Sequence, residues 1–208
     1  MASNEKIDLY KRHKDQYVSS KSPVLVTAKQ ATYLSISGRG APGGPEFTEK
    51  VGALYGVAYI IKMTRKFAGR QDYVVCKLEG QWWLDDSQQD FAAVPRDEWN
   101  WRLMIRTPDL ITEDDLQKAV SALIEKGKSP QVRAVKLESI AEGLCVQMLH
   151  VGPYEHEAQT IAVMKAFAER QGLDFYGLHH EIYLSDPRRV RPDRLKTILR
   201  QPVRKKQN

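Results

Sequence analysis

The sequence predicts an α+β fold: two pseudo-symmetric βαββ repeats, antiparallel sheets with helices on one face, enclosing a central ligand cleft. Three observations predict it. Short β-rich runs bounded by glycine and proline lie on both sides of one sharply capped helix. Each side holds a longer helical stretch among its strands. The order strand, strand, helix, strand, strand occurs twice. The expected division is an N-terminal extension at 1–22 and a domain at 23–208, with repeat one at about 23–107, a linker helix at 112–127 and repeat two at about 130–203. Seams between repeats commonly hold ligand pockets.

Lys6 to Tyr17 reads as a short helix or turn, Val24 to Thr27 as a strand opened by Pro23, and Tyr33 to Ser37 as a second strand. Gly38 to Pro45 is a loop by composition, and its spacing fits neither phosphate-binding fingerprint. Glu46 to Met63 is helical: Phe47, Val51, Leu54, Ala58 and Ile61 form one stripe, with Tyr55 and Tyr59 on its flank. Tyr73 to Leu78 is β-rich, Trp82 and Trp83 follow, and Asp85 to Asp90 is an acidic loop. Trp99 to Arg106 is a strand with Trp99, Trp101, Leu103 and Ile105 on one face. Thr112 to Lys126 is the clearest helix, with a capping box at Thr112 and Asp115 and Gly127 at its end. In the second half Val132 to Leu137 and Leu144 to His150 are strands. Gly152-Pro153 is a turn, Glu155 to Gln171 a helix ended by Gly172, and His179 to Leu184 and Leu195 to Val203 the last strands.

Composition narrows the function. The 208 residues are 42% apolar, enough for a core, and no apolar run reaches the ~20 residues of a membrane span. Met1 to Asp8 lacks the apolar stretch of a signal peptide, so a cytoplasmic protein without membrane contact is expected. Cys76 and Cys145 sit in apolar runs as buried thiols, and no cysteine–histidine spacing suggests a metal; no cofactor or metal is expected. The net charge of +6 gathers near the end, from Arg188 to Lys206, without any nucleic-acid-binding pattern, so direct nucleic-acid binding is not expected. The expected partner is a small flat aromatic or cationic molecule, and the sequence permits a homodimer.

The stretch His179-His180-Glu181-Ile182-Tyr183-Leu184 carries the most chemistry. Alternation puts Ile182 and Leu184 toward the helices and Glu181 and Tyr183 on the open side, about 7 Å apart by strand rise. A carboxylate and a phenol so placed form an acid–base pair or a receptor for a cation. Trp82, Trp101, Tyr55, Tyr59 and Tyr154 can wall a site for flat or cationic ligands, and desolvation there raises a carboxyl pKa. Glu79 occupies roughly the matching place in the first half, so a second carboxylate is available. His150, Tyr154 and His180 can line the rim. Glu155 and Glu157 suit a helix N-terminus simply through the dipole. No nucleophile stands out.

These segments resemble the GyrI-like small-molecule-binding family, and most closely its stand-alone two-repeat members. The resemblance is carried by Asp8-Leu9-Tyr10-Lys11 with Val24-Leu25-Val26; Phe47 to Lys62; Leu78-Glu79-Gly80 with Trp82-Trp83; His150-Val151-Gly152-Pro153-Tyr154; and His180 to Pro187 leading into Leu195 to Arg200. It implies a pseudo-two-fold fold with a central groove and a groove glutamate, matched by Glu181, that meets cationic or polar drug-like ligands. It further implies hydrolysis of electrophilic cyclopropane-bearing genotoxins. On this reading Glu181 positions water or acts as base, Tyr183, Tyr154 or Tyr59 polarises the carbonyl, and Trp82 and Trp101 sandwich the ligand. The alternative is a non-catalytic binder or sensor of lipophilic cations.

Overall fold

Pro23 has no amide hydrogen to give a sheet, and the strand it precedes starts at the next residue. The computed structural model describes residues 5–18, 20–86 and 91–206. In chain order the elements are α1 Leu9–Arg12, β1 Val24–Ala28, β2 Ala31–Arg39, α2 Pro45–Phe67, β3 Leu78–Trp83, β4 Asn100–Thr107, α3 Glu113–Glu125, β5 Lys136–Ile140, β6 Gly143–Val151, α4 Glu157–Arg170, β7 Leu173–Phe175, β8 His179–Tyr183 and β9 Lys196–Lys205. The chain is a mixed α/β protein in which β1 pairs antiparallel with β6, β2 with β4 and β5, β3 with β4, and β9 with β6, β7 and β8. Among the described residues no helix is long and apolar enough to cross a membrane.

Two compact units form. One comprises the residues up to Arg12 with Ala31–Ile140, the other His13–Gln30 with the residues from Ala141 onward. The two halves of the sequence therefore trade strands. β1 comes early in the chain but pairs with β6, in register from Val24↔Gln147 to Ala28↔Gly143. β5 comes after α3 but pairs with β2, from Ala31↔Ile140 to Ser35↔Lys136.

In the first unit the strand order is β3-β4-β2-β5. α2 packs on β2, β4 and α3, burying Ala53, Leu54, Val57, Ala58 and Ile61. Leu34, Ile36, Trp101, Leu103 and Ile105 share the sheet face beneath it by register. Gly38 lies opposite Trp101, and a Cβ there would overlap the indole. The glycine is thus needed for the ring's close approach rather than for a turn. The capping box of α3 is present: Thr112 Oγ1 accepts from the Asp115 amide at 3.3 Å and Asp115 Oδ2 from the Thr112 amide at 3.2 Å. Asp115 also pairs with Arg65 at 3.0 Å, tying α3 to α2.

Two sequence expectations shift here. Of the run Tyr73 to Leu78, Tyr73 makes one isolated bridge, to Ile7, and the strand begins at Leu78 and runs through Trp83. Cross-strand pairing with β4 overrides the weak β-propensity of Glu79-Gly80-Gln81. Residues 132–134 belong to a 3₁₀ turn, Pro130–Ala134, because Ser129 Oγ caps the Gln131 amide at 3.1 Å and Pro130 has no amide hydrogen to lose. Of the acidic loop Asp85 to Asp90, positions 87–90 lie outside the described residues.

In the second unit the order is β1-β6-β9-β8, with β7 pairing the far end of β9. The face covered by α4 is built from Val146, Met164, Ala168, Leu173, Leu199 and Val203. The opposite face carries Val26, Ala28 and Cys145. β7 was not anticipated; at three residues it is too short to show a period.

The strand exchange yields a prediction. A fragment ending at Gly127 lacks β5 and exposes the β2 edge, and the complementary fragment lacks β1 and exposes the β6 edge. Expressed separately, neither should show a cooperative thermal transition; mixing or co-expression should restore one. Independent folding of either fragment, seen by circular dichroism and calorimetry, would remove the structural need for the exchanged strands.

Candidate functional site

The site assembles in the second unit from the start of α4 and one face of β8. Gly152 has φ +140°, a conformation that disfavours any side chain, and turns the chain from β6 toward the helix. His150 fastens that turn. Its Nε2 donates to the Pro153 carbonyl at 3.0 Å, which leaves Nδ1 to accept from the Thr160 hydroxyl at 2.9 Å. A 3₁₀ turn at Tyr154–His156 then delivers Glu157 as the first residue of α4. On β8, His179, Glu181 and Tyr183 share one face, and His180 and Ile182 take the other.

Register shows which face is which. Glu181 pairs with Leu199 and Tyr183 with Thr197, and Leu199 belongs to the core under α4. Glu181 therefore emerges on the helix-covered side, where Glu157 meets it, and Ile182 faces away. This corrects the expected orientation of β8. Alternation fixes which residues share a face, but not which face the helix covers.

Glu157 is 7% exposed and hydrogen-bonds both Glu181 and Thr197. Burial, the charge of Glu181 and the hydrogen bond to it push the Glu157 carboxyl far above the usual carboxylate range. The helix dipole at this position favours the charged form, and it loses to those effects. Glu157 consequently keeps its proton at neutral pH. His179 Nε2 lies 3.5 Å from Glu181 Oε1. Glu157, His179 and Glu181 present ligand atoms within 4.8 Å of one another. The Tyr154 and Tyr183 rings pack edge to face at 6.0 Å. Burial and the carboxylates of Glu181 and Glu157 push the Tyr154 phenol up to about 12, so it keeps its proton as a donor.

Of the other sequence-predicted residues, Glu79, Trp82, Trp101, Tyr55 and Tyr59 belong to the first unit, and His150 and His180 to the second. His180 is 1% exposed and turned away from Glu181. It contacts Glu142 at 2.9 Å, and Arg200 bridges Glu142 at 3.2 Å, Gln147 at 2.8 Å and the Gln16 carbonyl. Burial alone would raise Glu142, but His180 and Arg200 outweigh it and hold the carboxyl at about 2. His150 and His180 are thus structural in position, one in a turn and one in a buried ion network. In the first unit, Glu79 pairs with Met104 on the face away from α2, fully buried. Within the second unit, the carboxyl that meets Glu181 is Glu157. Trp82 and Trp101 are 4% and 0% exposed. Phe47 stacks on Trp82 at 6.0 Å and meets Trp101 edge-on at 5.2 Å. Tyr55 and Tyr59 stack at 6.2 Å on α2, with Tyr59 half exposed.

Glu157 and His179 were not selected from sequence as site residues. An acidic residue in a first helical turn has an ordinary explanation, and only tertiary contact separates Glu157 from Glu155.

Residues 22–204 match the family described as the GyrI-like small molecule binding domain. A conserved protein from Listeria innocua is 40% identical with a TM-score of 0.89, over 96% of this chain and 100% of that one. A hydrolase from Listeria innocua is 39% identical with a TM-score of 0.85, over 96% and 100%. The C-terminal domain of EcmrR shares the fold at 10% identity and a TM-score of 0.56, over 89% and 98%. No curated protein matches the chain.

The retained proton has a stability signature. The folded-state pKa of Glu157 lies above its unfolded value of 4.5, so its contribution is fully present below that pH and is lost as pH rises. Glu157→Gln removes this loss. Between pH 5 and pH 8 the wild type should lose stability relative to the variant by on the order of 2 kcal/mol in denaturant titrations. Parallel pH profiles would mean that Glu157 is ionised in the folded protein.

Proposed function

The chain belongs to the GyrI-like small-molecule-binding family, and from that premise we propose that its second unit binds flat aromatic or cationic drug-like molecules beside Glu157 and Glu181 and hydrolyses electrophilic cyclopropane-bearing genotoxins. The observation that carries this reading is the buried Glu157 carboxyl set against Glu181, with burial and the charge of Glu181 raising its pKa. Such a pair offers an acid and a base together near neutral pH, the combination that ring opening by water requires. That a 39% identical relative is described as a hydrolase favours turnover over simple binding.

In a cyclopropane fused to a conjugated dienone, water adds to a ring carbon while the strained C–C bond breaks. The bond's electron pair moves into the conjugated system, which becomes a phenol on gaining a proton at the former carbonyl oxygen. Glu181 orients the water and takes its proton. The protonated Glu157 carboxyl or the Tyr154 hydroxyl donates at the carbonyl oxygen, stabilising the charge that develops there. Tyr154 and Tyr183 supply the aromatic edge against which a flat ligand rests. The sum is addition of one water, with no cofactor and no covalent enzyme intermediate.

Glu181→Gln keeps the size of the side chain and removes the base. With a cyclopropane-bearing alkylator, mass spectrometry should show the hydrated product for the wild type and a rate lower by about 10²–10⁴-fold for the variant. Affinity for neutral flat ligands should stay near the wild-type value. Equal turnover in a folded Glu181→Gln variant would remove Glu181 from the reaction. If the wild type forms no product and Glu181→Gln weakens only cationic dyes, the site is a cation receptor in which Glu181 supplies charge and the rings supply cation–π contacts.

A further inference from the structure

We propose that Glu157, His179 and Glu181 form a binding site for a divalent transition-metal ion of the zinc class. The sequence suggests no metal, and the site goes beyond the acid–base reading of the same carboxyls. Two side chains come from alternate positions of β8 and the third from the first residue of α4. Their ligand atoms lie within 4.8 Å of one another. Ligands on one zinc ion sit about 2.0–2.2 Å from it, and hence roughly 3–3.5 Å apart in a tetrahedron. Closing the set calls for the ligand atoms to draw together by roughly 1 Å.

A second observation points to a ligand independently of the cluster. Glu157 is 7% exposed, and its Oε1 has no hydrogen-bond partner. The buried Nε2 of His179 has none either. Both atoms belong to the group that converges on Glu181. Buried acceptors without partners are costly, and a cation satisfies several at once. Two carboxylates cancel the charge of a divalent ion. The imidazole selects a borderline metal over magnesium or calcium, which take oxygen ligands. Three protein ligands leave an open position, the pattern of reactive rather than structural zinc. Thr197, bonded to Glu157, is placed to orient that ligand from β9.

The ion would lie against the Glu157 carboxyl, between His179 and Glu181. The groups facing this carboxyl are Glu181 and His179 from β8, Thr197 from β9, and Tyr154 and Glu155 from the turn before α4. Metal-bound and acid–base forms of the site are therefore alternatives, and metal binding is measured without any organic ligand present.

Chelator-treated full-length protein is titrated with zinc chloride at pH 7.5, by calorimetry. The expected result is one ion per chain. Glu157→Gln and His179→Ala should each weaken binding at least tenfold. Absence of binding overturns the site, as does binding that both folded variants retain at wild-type strength. If either variant fails to fold, cobalt(II) added to the wild type replaces it. Paramagnetic shifts at the His179 ring support the site, and shifts confined to other histidines overturn it. Failure here leaves cyclopropane hydrolysis standing. Loss of hydrolysis with metal binding intact leaves the ion site standing.

Discussion

Two carboxyl groups in a buried setting cannot both stay ionised within hydrogen-bonding distance, and the second unit is arranged around that constraint. Glu157 arrives on the first residue of α4 and Glu181 on the helix-covered face of β8. Moving Glu157 a few residues along the helix would rotate it off the sheet. Slipping β8 by one residue would present His180 and Ile182 instead. Two features therefore set the chemistry: the turn that starts α4 and the register of β8. Gly152 and the His150 bridge fix the first.

The register of β8 is held from its other face. His180, Glu142, Arg200 and Gln147 form a connected network with almost no exposure, and Arg200 also lies over the Tyr17 ring at 5.7 Å. Burying a charged pair costs desolvation that its attraction repays only when every donor and acceptor is used. Here the arginine spreads its donors over three partners, so a slipped strand would strand an ionised group in the core at a cost of about 3–5 kcal/mol. One face of β8 thus spends polar residues on uniqueness of register. The opposite face carries His179, Glu181 and Tyr183.

Much of the fold was legible in the sequence because its signals are local. The Thr112–Asp115 box marks the start of α3, the stripe from Leu54 to Ile61 marks α2, and alternation marks β2, β4, β6 and β9. What stayed hidden depends on pairing. No local feature of Val24–Ala28 says that its partner lies some 120 residues downstream in β6. Glu79-Gly80-Gln81 looks like a break and becomes a strand because β4 offers a ladder. The site followed the same rule. Glu181 and Tyr183 announced themselves by alternation in an apolar strand. Glu157 resembled any acidic helix start until a second carboxyl was found beside it.

The aromatic residues divide between two environments that composition alone does not separate. Four tryptophans and nine tyrosines suggest walls for a flat ligand. Yet Trp82, Trp99 and Trp101 join Phe47 and Phe91 in an internal cluster, closed from above by Lys50 over Trp101. Indoles are large enough that packing against one another consumes the faces a ligand would need. Tyrosines divide their surface differently, because the hydroxyl resists full burial and keeps one edge near solvent or a polar partner. Tyr154 and Tyr183 are half-buried beside the carboxyl pair for that reason. The aromatic surface beside the carboxyl pair is therefore phenolic, an apolar ring edge with a hydroxyl at its tip.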